Sequence, residues 1–308
     1  MSLPVVIFDT SALNFLIKAG ARSEPHFAAL KSGFNVCLTA MSIDELIATT
    51  DEGKREMLIA GCQRLLGSGC CVWPPHEIVT ILASAHATDP ARFNWRGVNI
   101  RAQVYERAII DRDYTNELCA TQLREQRRLE ENFMEFWQGL RVKLDPLWDK
   151  DPKRKRPTNY SRAAEIARSG NPSVLLGVGA ELYERGAKVE RTPTYAEIEA
   201  FMKVCPPFRS ICYGIVGTWF DVSLAPQVFK NLAGRNDQMM AVYLPYCSRF
   251  VTADWRQEKR LREIAVEAKL DCEVLSYAGF LASFDVLGSR TATDRTIRRG
   301  GHGHKISA

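Results

Sequence analysis

The chain lacks any C-x-x-C pair among its nine cysteines and holds only five histidines. An odd cysteine count, with Cys70 and Cys71 adjacent but no paired spacing, argues against a disulfide framework and a zinc knuckle. Reduced, mostly buried thiols are the expectation. No apolar run approaches the roughly 20 residues that cross a bilayer, and the most apolar stretch is Ile211 to Phe220. The acid Asp9 comes too early for a signal-peptide core to precede it. No internal repeat shows itself. These absences predict a cytoplasmic protein with no membrane partner.

Strong net charge is lacking as well. The total is +5. Residues 286–308 hold Arg290, Arg295, Arg298, Arg299 and Lys305 against Asp294, a net +4, which leaves +1 for the rest. Any attraction of the body for nucleic acid must therefore come from local patches. With 46% hydrophobic and 25% charged residues the 308-residue chain has globular composition, enough for one large domain or two ordinary ones.

What is present starts with Val5-Val6-Ile7-Phe8, four apolar residues that read as a strand buried on both faces, the habit of a parallel sheet. Asp9 stands at its carboxyl end, where open α/β sheets bind ligands and a desolvated carboxylate wants a cation or a proton. Ser11 is expected to cap a helix from Ala12 to Lys18, although Asp9 could itself be only the cap. A short helix over His26 to Lys31 and a strand over Phe34 to Leu38 follow. Ser42-Ile43-Asp44-Glu45 then has the spacing of a capping box, which would place Glu45 in a first helical turn. A helix from about Lys54 to Leu66 and a strand from Cys70 to Trp73 complete a β-α-α-β-α-α-β order suited to right-handed parallel crossovers.

From His76 to roughly Asp221 the texture turns to long, charged segments of helical period, among them Val104 to Leu144, expected to pack on one another and on the sheet's flank. Within it, Lys153, Arg154, Lys155 and Arg156 form a basic loop between Pro152 and Pro157 that is either a solvated linker or a phosphate contact. Thr194 to Glu197 has a second capping-box spacing. The α/β texture then returns. Asn236-Asp237 leads an apolar helix, Arg249 to Thr252 is a strand with Asp254 two residues beyond, a helix runs from Gln257 to Lys269, and Cys272 to Leu275 supplies the last strand.

Asp9, Glu45, Asp237 and Asp254 thus take matching places at one sheet edge. Carboxylates gathered there repel and raise one another's pKa unless a divalent cation binds between them. The blocks Val5 to Ser11, Ser42 to Leu46, and Asn236-Asp237 through Arg249 to Asp254 resemble those of the PIN-domain nucleases, the last being the most specific. The resemblance covers about residues 1–75 and 230–285 and departs from a compact PIN domain in the long interval 76–229, read as a helical insertion, with 286–308 as a basic tail.

The resemblance implies an α/β fold, a Rossmann-like three-layer sandwich on a parallel sheet. It also implies Mg²⁺ or Mn²⁺ held by Asp9, Glu45, Asp237 and Asp254, with Ser11 and Thr252 as supporting polar groups, and endonucleolytic hydrolysis of RNA, single-stranded or structured. Asp221 is the rival for the third acid. A toxin or defence role, a second copy of the chain and a protein inhibitor are settings and partners that such proteins bring with them. Hard carboxylate oxygens suit Mg²⁺ or Mn²⁺, and the His and Cys that zinc would want are missing from these motifs.

Trp255, Arg256 and Lys259 beside Asp254 could hold a single strand or simply pack and face water. His302 and His304 could bind a metal but lie in a terminal tail. Two other functions compete. A non-catalytic PIN-like RNA-binding or scaffold protein would bind no cation through these acids. A haloacid-dehalogenase-like phosphatase also begins with a strand and an Asp, but expects a second acid where this chain has Ser11.

Overall fold

A computed structural model of the chain describes residues 3–66, 69–111, 119, 121, 157–170, 173–189, 191–224 and 238–284. Asp237, Lys153 to Arg156, most of Val104 to Leu144, and the tail 286–308 with His302 and His304 lie outside the described residues.

Five strands form one all-parallel sheet: β1 (Val5–Phe8), β2 (Asn35–Thr39), β3 (Gly69–Val72), β4 (Arg249–Thr252) and β5 (Glu273–Ser276), in the order β3-β2-β1-β4-β5. Three strands come from before residue 75 and two from after residue 248. β1 pairs directly with β4, with Phe8 opposite Val251. Chain order runs outward from β1 to β3 and then resumes on the other side of β1 at β4, so the sheet's switch point lies between β1 and β4.

Strand residues alternate between two hydrophobic layers, as the period of two requires. Ile7, Cys37, Val72, Phe250 and Val274 face one layer, and Val6, Phe8, Val36, Leu38 and Val251 face the other. The second layer is covered by α1 (Thr10–Lys18), α2 (Glu24–Gly33), α3 (Ala40–Ile47) and α4 (Glu52–Leu66). The first is covered by α5 (Pro75–Thr88) and, past α6 (Gln103–Ile110) on the α4 side, by α7 (Tyr160–Ser169), α8 (Val174–Ala187), α9 (Tyr195–Val204) and α10 (Pro206–Leu224). A 3₁₀ helix (Met240–Tyr246) and α11 (Trp255–Glu267) finish that layer. The helical interval expected from the sequence therefore contributes one of the sheet's two covers. Its apolar stretch Ile211 to Phe220 is the middle of α10, and no described helix is long and apolar enough to cross a membrane.

Three helix starts beside the sheet's carboxyl edge differ from the sequence expectation. α1 begins at Thr10, not Ala12, and its cap is Asp9, whose carboxylate accepts from the Ala12 backbone N–H. Asp9 leaves β1 still extended, at φ −74° and ψ 172°, so the helix starts two residues before a cap at Ser11 would allow. Likewise Thr39, at the end of β2, caps α3 by accepting from the Ser42 N–H. Ser42 is then the third helical residue, and Glu45 lies in the second turn rather than the first. The capping box at Thr194 and Glu197 forms as its spacing predicts. Asp254 caps α11, which starts at Trp255, two residues before the expected Gln257.

Candidate active site

The carboxyl ends of β1 and β4 bring Asp9, Ser11, Thr252 and Asp254 together at the switch point. Asp9 is 5% exposed. The Ser11 hydroxyl lies 2.9 Å from Asp9 Oδ1 and 2.8 Å from Oδ2, the Ala12 N–H donates to Oδ1 at 2.8 Å, and the Thr252 hydroxyl donates to Oδ2 at 3.0 Å. Both hydroxyls are themselves fed from the turn after β4. The Ala253 N–H donates to Ser11 Oγ at 2.9 Å, and the Asp254 N–H donates to Thr252 Oγ1 at 3.0 Å. Two main-chain donors thus fix the two hydroxyl protons toward Asp9. Ser11 has one proton for two oxygens, and its backbone N–H also bonds the carboxylate, so with Ala12 and Thr252 there are four donors against about four lone-pair directions.

Burial raises the Asp9 pKa above its ordinary value, and the bonds from Ala12, Ser11 and Thr252 oppose that rise without cancelling it. Glu45, on the second turn of α3, is likewise raised by burial, with a hydrogen bond involving Thr10 opposing and the charge of Asp9 adding to the rise. The charge of Asp9 thus acts on Glu45 from the end of β1. Next to Glu45, Asp44 is pushed up to about 7 by burial and by the charge of Glu45. The Tyr105 hydroxyl donates to its Oδ2 at 3.3 Å, and its Oδ1 is buried with no partner among the described residues.

Asp254 sits at the end of β4 and accepts from the Arg256 N–H at 2.7 Å and the Gln257 N–H at 3.4 Å, both through Oδ1. Trp255, Arg256 and Lys259 are exposed on the first turns of α11, with the Arg256 guanidinium 5.4 Å from the centre of the Trp255 ring. Asp221 has a different place. One of its oxygens pairs with Arg260, and the other accepts from Gln238 Nε2 at 2.7 Å. Arg260 also pairs with Glu263 and lies 4.7 Å from the centre of the Tyr160 ring. Asp221 therefore serves a cation inside the helical layer. Among the described residues no three His, Cys, Asp or Glu side chains gather closely enough to hold a metal ion by themselves; Asp237, the remaining acid of the pattern, lies outside them.

Two participants, Tyr105 and Thr10, were not among the expected site residues. Tyr105 meets Asp44 across 61 residues of chain, with nothing in either local pattern to announce the pairing. Thr10 could have been singled out, since it is the first polar residue after Asp9 and the first of the helix. Compared with protein-family models, curated proteins and solved structures, the chain matches none of them.

Proposed function

We propose that this protein is a PIN-like, metal-dependent endoribonuclease that hydrolyses phosphodiester bonds of RNA. The observation that carries the reading is the buried carboxylate of Asp9 at the β1/β4 switch point, held by Ser11 and Thr252 and raised in proton affinity. A carboxylate kept dry beside a second acid is stabilised most by a hard cation. Asp9 and Glu45 would hold Mg²⁺ or Mn²⁺, with Asp254 and, from the sequence resemblance, Asp237 completing an all-oxygen set. Such a cation, when bound, acidifies a water ligand and offsets charge growing on the phosphate.

The chain's own residues supply positioning. Ser11 and Thr252 orient Asp9, and through Ala253 and Asp254 they tie it to the turn that carries the second strand's acid. α3 brings Glu45 in from the neighbouring strand crossover. A non-catalytic, nucleic-acid-binding reading draws on the fact that Asp9 and Asp254 each cap a helix, a role that needs no cation.

Cation titration with end mapping of an RNA pool separates the two. The wild-type protein should bind Mn²⁺ and cut RNA in its presence. Asp9→Asn should keep the fold, since Asn also caps helices, while losing the cation-dependent cuts. A folded Asp9→Asn protein that cuts as well as the wild type with Mn²⁺ would sink the nuclease assignment.

A further inference from the structure

All nine cysteines are free, and four of them stand in two close pairs on the sheet face that the helical layer covers. Cys37 on β2 and Cys70 on β3 are in-register partners, with their sulfurs 3.2 Å apart. Neighbouring strands lie about 4.8 Å apart, within the Cα separations of roughly 4.4–6.8 Å that a disulfide spans. Both sulfurs meet in the same layer and need approach by only about 1 Å to bond. Cys71 follows Cys70 directly but belongs to the opposite layer, so the two-residue period of the strand keeps it from Cys37. The second pair, Cys247 and Cys272, is looser. Its sulfurs are 3.6 Å apart, and the pairing of Arg249 with Glu273 sets Cys272 opposite Ser248, one residue past Cys247.

The members of the first pair are not equivalent. Cys37 is 6% exposed, in the middle of β2 and between β1 and β3. Cys70 is half-buried on β3, the strand that ends the sheet. The hydrogen bond with Cys37, helped by the attraction of Arg101, lowers the Cys70 thiol below its ordinary pKa against burial and the charge of Glu106. The same bond, with burial, raises Cys37. Arg101 is held in place by both oxygens of Glu106, at 2.8 and 2.7 Å, and Glu106 accepts from the Cys71 N–H at 3.0 Å. A reachable, acidified thiol in contact with a buried neutral one divides the roles of attacking and resolving cysteine.

We propose that Cys37 and Cys70 form a peroxide-reactive modification site, a thiol pair that closes reversibly to a disulfide between β2 and β3. The Cys70 thiolate attacks one oxygen of hydrogen peroxide. The S–O bond forms, the O–O bond breaks, and the departing hydroxide takes up the proton that Cys70 shed, leaving water and a sulfenic acid on Cys70. Cys37 Sγ then attacks the Cys70 sulfur. The S–S bond forms, the S–O bond breaks, and the leaving hydroxide takes the Cys37 proton as a second water. Two thiols give up two electrons and one peroxide gains them. The acidic edge uses neither thiol, so the site stands apart from the nuclease reading.

The test treats the reduced full chain with one equivalent of hydrogen peroxide, alkylates the remaining thiols, and reads the tryptic peptides by non-reducing mass spectrometry. Cys37 falls in peptide 32–54 and Cys70 in peptide 65–92, which also holds Cys71. The wild type should lose two of its nine free thiols, give the 32–54/65–92 disulfide as its main product, and recover both thiols in dithiothreitol. The urea-unfolded chain should scatter the same oxidation among all its cysteines. Cys37→Ser should stop at the sulfenic acid, trapped by dimedone on Cys70. Cys71→Ser should close the disulfide as the wild type does, and Cys70→Ser should not. Wild-type protein in which Cys37 stays fully alkylated, or whose main product links Cys247 to Cys272, overturns the proposal, and neither result needs a variant to fold. A 32–54/65–92 disulfide that survives Cys70→Ser would overturn it as well, by assigning the chemistry to Cys71.

Discussion

Asp9 accepts hydrogen bonds from Ala12, Ser11 and Thr252 yet still holds a proton more readily than a free aspartate, because burial outweighs its donors. The same direction holds for Glu45 and Asp44, so three neighbouring acids oppose their own ionisation. A group whose folded pKa exceeds its unfolded value binds more protons in the native state, so stability falls as pH rises through that interval. For Asp44 the interval runs from 3.8 to about 7. Asp44→Asn should therefore be more stable than the wild type at pH 8, by no more than about 4 kcal/mol, and should lose that advantage near pH 4. Urea unfolding at the two pH values checks it, and an advantage that grows toward acid would show the sign to be wrong. Thr252→Val is nearly isosteric and removes one donor to Asp9. It should lower cation affinity or cleavage on the order of 10- to 100-fold with little change in the fold, as read by cation titration and circular dichroism. Asp9 and Asp254 were legible in the sequence because each follows a strand, whereas Glu45 was reached through a capping-box spacing at Ser42 although the helix is capped by Thr39. The hydroxyl relay through Ala253 and Asp254 was not legible, since it depends on which main-chain N–H groups the turn after β4 leaves over.

At the scale of elements, strands were read well and helix starts poorly, for a physical reason. A short run such as Arg249 to Thr252 is bounded by its own apolar content, whereas the junctions after β1 and β2 offer two polar caps in succession. Asp9 precedes Ser11 and Thr39 precedes Ser42, and in both cases the residue nearer the strand caps the helix while its backbone is still extended. Packing between elements was also hidden. Gly214 and Gly217 on α10 face Gln238 at the entry to the 3₁₀ helix, and a Cβ at Gly214 would lie 2.5 Å from the Gln238 carbonyl oxygen. Gly214→Ala must push main chain against main chain and should cost about 1–3 kcal/mol. Gly33, at the end of α2, has nothing within 4 Å of such a Cβ. Gly33→Ala should be neutral or gain about 0.5 kcal/mol by restricting the unfolded chain. Paired denaturation midpoints test the contrast, which fails if both substitutions move stability the same way by similar amounts.

At the scale of the whole molecule, the sequence suggested a nuclease-like sheet interrupted by helices, and the two core layers show what the interruption does. Ile7, Cys37, Val72, Phe250 and Val274 present one face of all five central positions to α5 and α7–α10. The connection is also polar: Arg209 Nε donates to the Ala268 carbonyl at 2.9 Å, and the Ser161 hydroxyl donates to Glu267 at 2.6 Å. Fully burying a side chain the size of Phe208 or Ile211 contributes roughly 1.5–3 kcal/mol, and these helices bury many. A chain that joins residues 1–75 to 238–284 through a flexible linker would keep every strand but expose a whole face of the sheet, which parallel sheets do not tolerate. It should fail to fold, giving no cooperative urea transition and no near-ultraviolet signal. The intact protein should instead unfold in one step, with the aromatic signal of Trp219 and Tyr160, buried in the helical layer, disappearing together with the far-ultraviolet signal. Two separated transitions, or a well-folded joined chain, would mean that the helices form an independent unit, and the acidic edge at β1 and β4 would then owe its shape to the sheet and the α1–α4 layer alone.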